Sequence, residues 1–89
     1  LNSVTGQIQW PPVLLQEGFA ADRAALERLS ASLAESGSLS FADQMAARKT
    51  VESMSDQLKS QIREVPHQDY MASRNFLRSL VYALARGDL

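Results

Sequence analysis

At 89 residues, with nine basic and ten acidic side chains and a net charge of −1, the chain lacks the basic excess by which nucleic-acid binders neutralise phosphates. The absence of cysteine excludes disulfides, thiolate metal sites and cysteine nucleophiles, and no apolar run approaches the ~18 residues of a membrane span. An apolar fraction of 45% and a charged fraction of 21% are those of one folded globular domain, with a thin core because so short a chain buries only about 60–65% of its unfolded surface.

Residues 5–12, TGQIQWPP, hold the only Trp and two of the three Pro, and differ from everything that follows. Val4, Ile8 and Trp10 are apolar and Ile8/Trp10 keep a period of two, which predicts an extended strip with a turn near Gly6. Pro11-Pro12 ends the strip and can open a helical turn, since Pro is tolerated in a first turn. Residues 12–17 are therefore expected to form a short helix stopped by Gly18. Together, residues 1–18 read as a strap on a three-helix bundle spanning 19–89.

The first long helix is expected over 19–36, from Leu26, Leu29 and Leu33 at a 3-4 spacing in an Ala/Leu/Glu/Arg-rich segment, with Gly37 as its left-handed terminator. Ser40 is placed to cap the second helix, with Asp43 near the positive end of its dipole. Phe41, Met45, Val51, Met54, Leu58, Ile62 and Val65 read as one face of that helix, which should end at Val65 because Pro66 disfavours the α conformation before it. A third long helix is expected from Pro66 or Gln68 to Arg86, with a stripe of Tyr70, Leu77, Leu80, Val81 and Leu84, widened by Met71 and Phe76 and ended by Gly87. Short connections between helices of similar length favour antiparallel neighbours, so the expected fold is all-α, an antiparallel three-helix bundle with an N-terminal extended strap and a short first helix.

Side chains suited to catalysis are sparse. His67 is the single histidine and adjoins Pro66, where a solvated turn or helix-start role fits better than a general base or a metal ligand. Glu52 and Asp56, an acidic pair at i,i+4, could mark a cation site, but Arg48 and Lys59 stand close enough to make them a neutralised solvent face. No serine lies in a nucleophile elbow, and neither a Walker loop nor a dinucleotide fingerprint is present. Met45, Met54 and Met71 fall in register with Leu and Val and are read as core filler. Arg74 and Arg78, with Tyr70 one turn earlier, make the best local basic patch, able to hold a phosphate or carboxylate or to serve as a solvated face.

TGQIQWP (5–11), FAADRAALE (19–27), LKSQIREVP (58–66) and YMASRNFL (70–77), taken together, resemble a bacterial family of small helical proteins of unassigned activity. That family is marked by a Trp-Pro start, an Arg-bearing helix and an Ile-Arg-x-Val-Pro junction followed by Tyr. The resemblance implies a helical domain of an exported or envelope-associated protein and carries over no catalytic residue. A chain opening at Leu1 is expected of a processed or excised product, and a signal peptide lost upstream would place it outside the cytoplasm.

The leading functional expectation is a non-enzymatic interaction or structural module without a cofactor, pairing with another protein or with itself. It rests on large apolar residues (Trp10, Phe19, Phe41, Phe76, Tyr82) that three helices are not expected to cover completely. The alternative is a small-molecule or anion site between strap and helices, built from Trp10, Tyr70, Arg74 and Arg78.

Overall fold

The strong helix formers that dominate the chain from residue 20 onward set its architecture. The computed structural model describes residues 8–86, and among these there are three long helices and no strand. Helix α1 spans Ala20–Ser36, α2 Phe41–Lys59 and α3 His67–Arg86, forming the expected all-α bundle. α2 packs against both α1 and α3. The first turn of α2 shares a groove with Val81 and Leu84 of α3, while Leu58 and Lys59 share another with Tyr70 and Arg74. α2 and α3 are thus antiparallel.

Between α1 and α3 lies the N-terminal segment. The expected turn at Gly6 and the terminator Gly87 lie outside the described residues. Residues 8–11 are non-helical and lead into two 3-10 turns, Pro12–Leu15 and Glu17–Phe19. Pro11 (φ −63°, ψ 155°) and Gln16 (φ −63°, ψ 153°) are both extended, and their carbonyls accept from Leu14 N (3.0 Å) and Phe19 N (3.0 Å). The break expected at Gly18 therefore falls at Gln16, whose extended backbone interrupts the helical hydrogen bonding. Gly18 instead sits inside the second turn, where a Cβ would meet Gln57 Nε2 at 2.6 Å. The first turn packs on α3 and the second on α1, so the segment bridges the two outer helices.

The caps follow from local chemistry. Ser40 Oγ accepts from Asp43 N at 3.1 Å, satisfying one orphan donor at the start of α2. Gly37 closes α1 at φ +83°, its N–H donating to Leu33 O at 2.7 Å. α1 needs no side-chain cap, because the Ala20 N–H donates back to Glu17 O and the second 3-10 turn runs straight into the helix.

Two expectations for α2 are corrected. The helix ends at Lys59 and not at Val65: Ser60 Oγ bonds Gln57 O at 2.6 Å, and Gln61, Ile62 and Glu64 then donate to the third residue back, tightening the chain into turns before Pro66. Ile62 is accordingly 46% exposed. At the other end, Phe41 and Met45 do not share the face of Val51, and neither Met45 nor Phe41 enters the core. Val51 lies six positions after Met45, a step that turns an α-helix by about 240° beyond a full revolution. The inward stripe is Ala47, Val51, Met54 and Leu58.

The core joins Leu14, Phe19, Leu26, Leu33, Leu39 and the α2 stripe to Tyr70, Leu77, Leu80 and Leu84 of α3. Leu29, Met71, Phe76 and Val81 are half-buried at its margin. Ser73 occupies the remaining position of the α3 stripe, fully buried, its hydroxyl without a hydrogen-bond partner. An unpaired buried polar group is costly, and Ala is the better helix former. Ser73→Ala is expected to raise the unfolding free energy by about 1 kcal/mol, read as a shift of roughly 4–8 °C in Tm by calorimetry. A loss of stability would show that the hydroxyl has a structural role.

Candidate functional site

The four residues singled out from the sequence divide between two places. Trp10 belongs to the strap. Its indole Nε1 donates to Glu27 Oε2 of α1 at 2.8 Å, and its ring meets Phe76 of α3 at a centroid distance of 5.6 Å, tilted by 58°. The indole therefore ties α1 to α3 through one charge-assisted hydrogen bond and one aromatic contact. Arg23 completes the attachment: its Nη1 donates to Leu14 O at 2.8 Å and to Gln16 O at 2.7 Å, the latter a carbonyl that also accepts from Phe19 N. The sequence marks Arg23 only as part of the Arg-bearing helix of the resemblance and gives no sign of its role, since its partners are backbone atoms of a neighbouring element.

Tyr70 and Arg74 lie elsewhere, in a groove of about 240 Å³ between α2 and α3 that Ser55, Asp56, Leu58 and Lys59 also line. Tyr70 is buried and Arg74 exposed. Arg78 is exposed one turn further on, its Nη2 donating to Asn75 Oδ1 at 3.3 Å. Phe76, which holds Trp10, and the Arg74/Arg78 edge flank the buried α3 stripe on opposite sides, as their helical spacing requires. The structure thus brings Tyr70 together with Arg74 but does not bring Trp10 to either arginine. Lys59 and Ser55 complete the polar groove, and sequence reading missed them because they come from a different helix.

A second, apolar groove of about 90 Å³ lies at the other end of the same α2–α3 seam, lined by Phe41, Gln44, Met45, Arg48, Val81 and Leu84 among others. Phe41 is 77% exposed and Met45 44% exposed, so the phase slip in α2 leaves two large apolar side chains at its mouth. Tyr82 stands exposed on α3, whereas Phe19 is wholly buried and Trp10 and Phe76 half-buried. The five large residues expected to strain the coverage of three helices therefore divide into those the strap covers and those left outside.

His67, Glu52 and Asp56 are all exposed. Among the described residues, no cluster of His, Asp or Glu suited to a metal ion occurs, and no helix is long and apolar enough to cross a membrane. In comparison with known proteins, no family model, curated protein or solved structure matches the chain. The likeness to a bacterial family rests on the quoted residues alone.

Trp10→Ala should lower stability by about 2 kcal/mol, less than a fully buried Trp would cost, because the indole is half-exposed. Trp10→Phe should lose only about 1 kcal/mol, since the ring contact with Phe76 can survive while the bond to Glu27 cannot. Urea denaturation followed by circular dichroism gives both values; an unchanged midpoint for Trp10→Ala would remove the strap from the list of structural elements.

Proposed function

We propose that this protein is a non-enzymatic helical interaction module that self-associates through the α2–α3 seam. The observation that supports the reading is the exposure of Phe41 at 77% beside Met45 and the half-buried Val81, around an apolar groove. Phe41 follows its capping serine at the first position of α2, where a polar residue would serve the helix equally well. Leaving its ring in water has a cost that docking removes, since burying such a side chain stabilises by about 1.5–3 kcal/mol. A net charge of −1 presents little electrostatic obstacle to pairing of identical chains.

Sedimentation equilibrium over a hundredfold concentration range tests this. The wild-type chain is expected to show reversible association and Phe41→Ser at least a tenfold weaker one, with unchanged helicity because Phe41 contributes little to the core. A wild-type chain that stays monomeric throughout rejects the reading.

A second reading, an anion-binding groove, is favoured by one observation: Tyr70, Arg74, Lys59 and Ser55 line one cleft. Two cations, a phenol and a hydroxyl suit a phosphate or carboxylate, but Asp56 on the same wall offsets one cation, and self-association stands first. Inorganic phosphate should shift the amide resonances of Ser55, Lys59 and Arg74 in wild type and leave them unmoved in Arg74→Gln. Equal shifts in both proteins would dismiss the groove as an anion site.

A further inference from the structure

The phase slip between Met45 and Val51 gives α2 two stripes. One is the buried set Ala47, Val51, Met54 and Leu58. The other is Phe41, Met45, Arg48, Glu52, Ser55 and Lys59, at spacings of four, three, four, three and four, the period of a coiled-coil seam. Every member of this outer stripe is exposed except Ser55, which is half-buried. α3 borders it along one side, through Val81 and Leu84 beside Phe41 and Met45 and through Tyr70 and Arg74 beside Ser55 and Lys59, and leaves its outer side open.

We propose that the outer stripe is a homodimer surface on which α2 of a second copy docks antiparallel, about a twofold axis passing between Arg48 and Glu52. This rests on the self-association reading above and specifies its geometry. The argument is charge complementarity. A twofold interface is isologous, so each contact occurs twice. With the axis beside position 50, Arg48 of each copy faces Glu52 of the other. Met45 faces Ser55, and Phe41 faces Lys59, whose aliphatic stem and ammonium can lie across the ring.

Other arrangements of the same stripe are worse. A parallel pair in register sets Arg48 against Arg48 and Glu52 against Glu52. An antiparallel pair shifted by one heptad sets either Arg48 against Lys59 or Phe41 against Glu52. The order of residues on this face therefore selects one register, with a Phe41–Lys59 ring–cation contact at each end and two ion pairs at the centre. A single helix of about 28 Å on each side makes a small interface, of the kind that associates weakly and reversibly.

Charge reversal tests the register in a way that general stickiness cannot imitate. Arg48→Glu gives a chain with two acids at the centre of the stripe, and Glu52→Arg gives one with two bases. Each variant alone should self-associate at least tenfold more weakly than wild type, while an equimolar mixture of the two should recover wild-type dimer in sedimentation equilibrium. Both residues are exposed, and circular dichroism is expected to show folded chains throughout. If wild type dimerises but the mixture does not recover, or if the single variants dimerise as wild type does, this interface is wrong while self-association stands. A wild-type chain that never dimerises overturns both.

Discussion

The fold depends on how the space between α1 and α3 is filled. α2 packs on both of them, but the two outer helices are joined chiefly by the segment that precedes them. Leu14 and Phe19, one from each 3-10 turn, are wholly buried, and burial of such side chains stabilises by about 1.5–3 kcal/mol each. In a domain of this size, whose core is thin, that is a large contribution. Polar contacts set the segment's position. Arg23 holds the carbonyls of Leu14 and Gln16, and Trp10 reaches Glu27 on one side and Phe76 on the other. The strap is thus a structural layer in place of a fourth helix, and its prolines prepare the extended backbone that lets it cross.

The second constraint is the rhythm of α2. Its inward residues are fixed by the need to face two neighbours, so any apolar residue out of phase with them must point outward. Phe41 and Met45 are out of phase, and the same slip aligns Arg48, Glu52 and Lys59 on their face. Burial of one stripe and exposure of the other are two consequences of one spacing. α3 contrasts with this: its stripe of Tyr70, Ser73, Leu77, Leu80 and Leu84 keeps a single 3-4 rhythm, and the cost there is a hydroxyl held in the core.

Much of this was legible in the chain itself. Ser40 and Gly37 mark helix ends because capping is a matter of a few adjacent residues, and the stripe of α3 follows from its own periodicity. Tyr70 and Arg74 could be placed on one side of a helix for the same reason. Ser60 was the available sign that α2 stops early, but a serine's choice between its own carbonyl neighbours and solvent cannot be read without the backbone. Lys59 and Ser55 joining Tyr70, and Trp10 choosing Phe76 over the arginines, depended on which helices became neighbours.

What the sequence determined by itself was therefore local: helical content, most helix ends, the inward face of α3 and the distinct character of TGQIQWPP. These depend on propensity, capping and periodicity, interactions that act over one or two turns. The tertiary structure alone decided that the strap lies between α1 and α3, that Arg23 fastens it, and that Phe41 and Met45 remain outside. Those outcomes require packing of segments remote in the chain, where a side chain's environment is set by the neighbour it meets and not by the residues beside it.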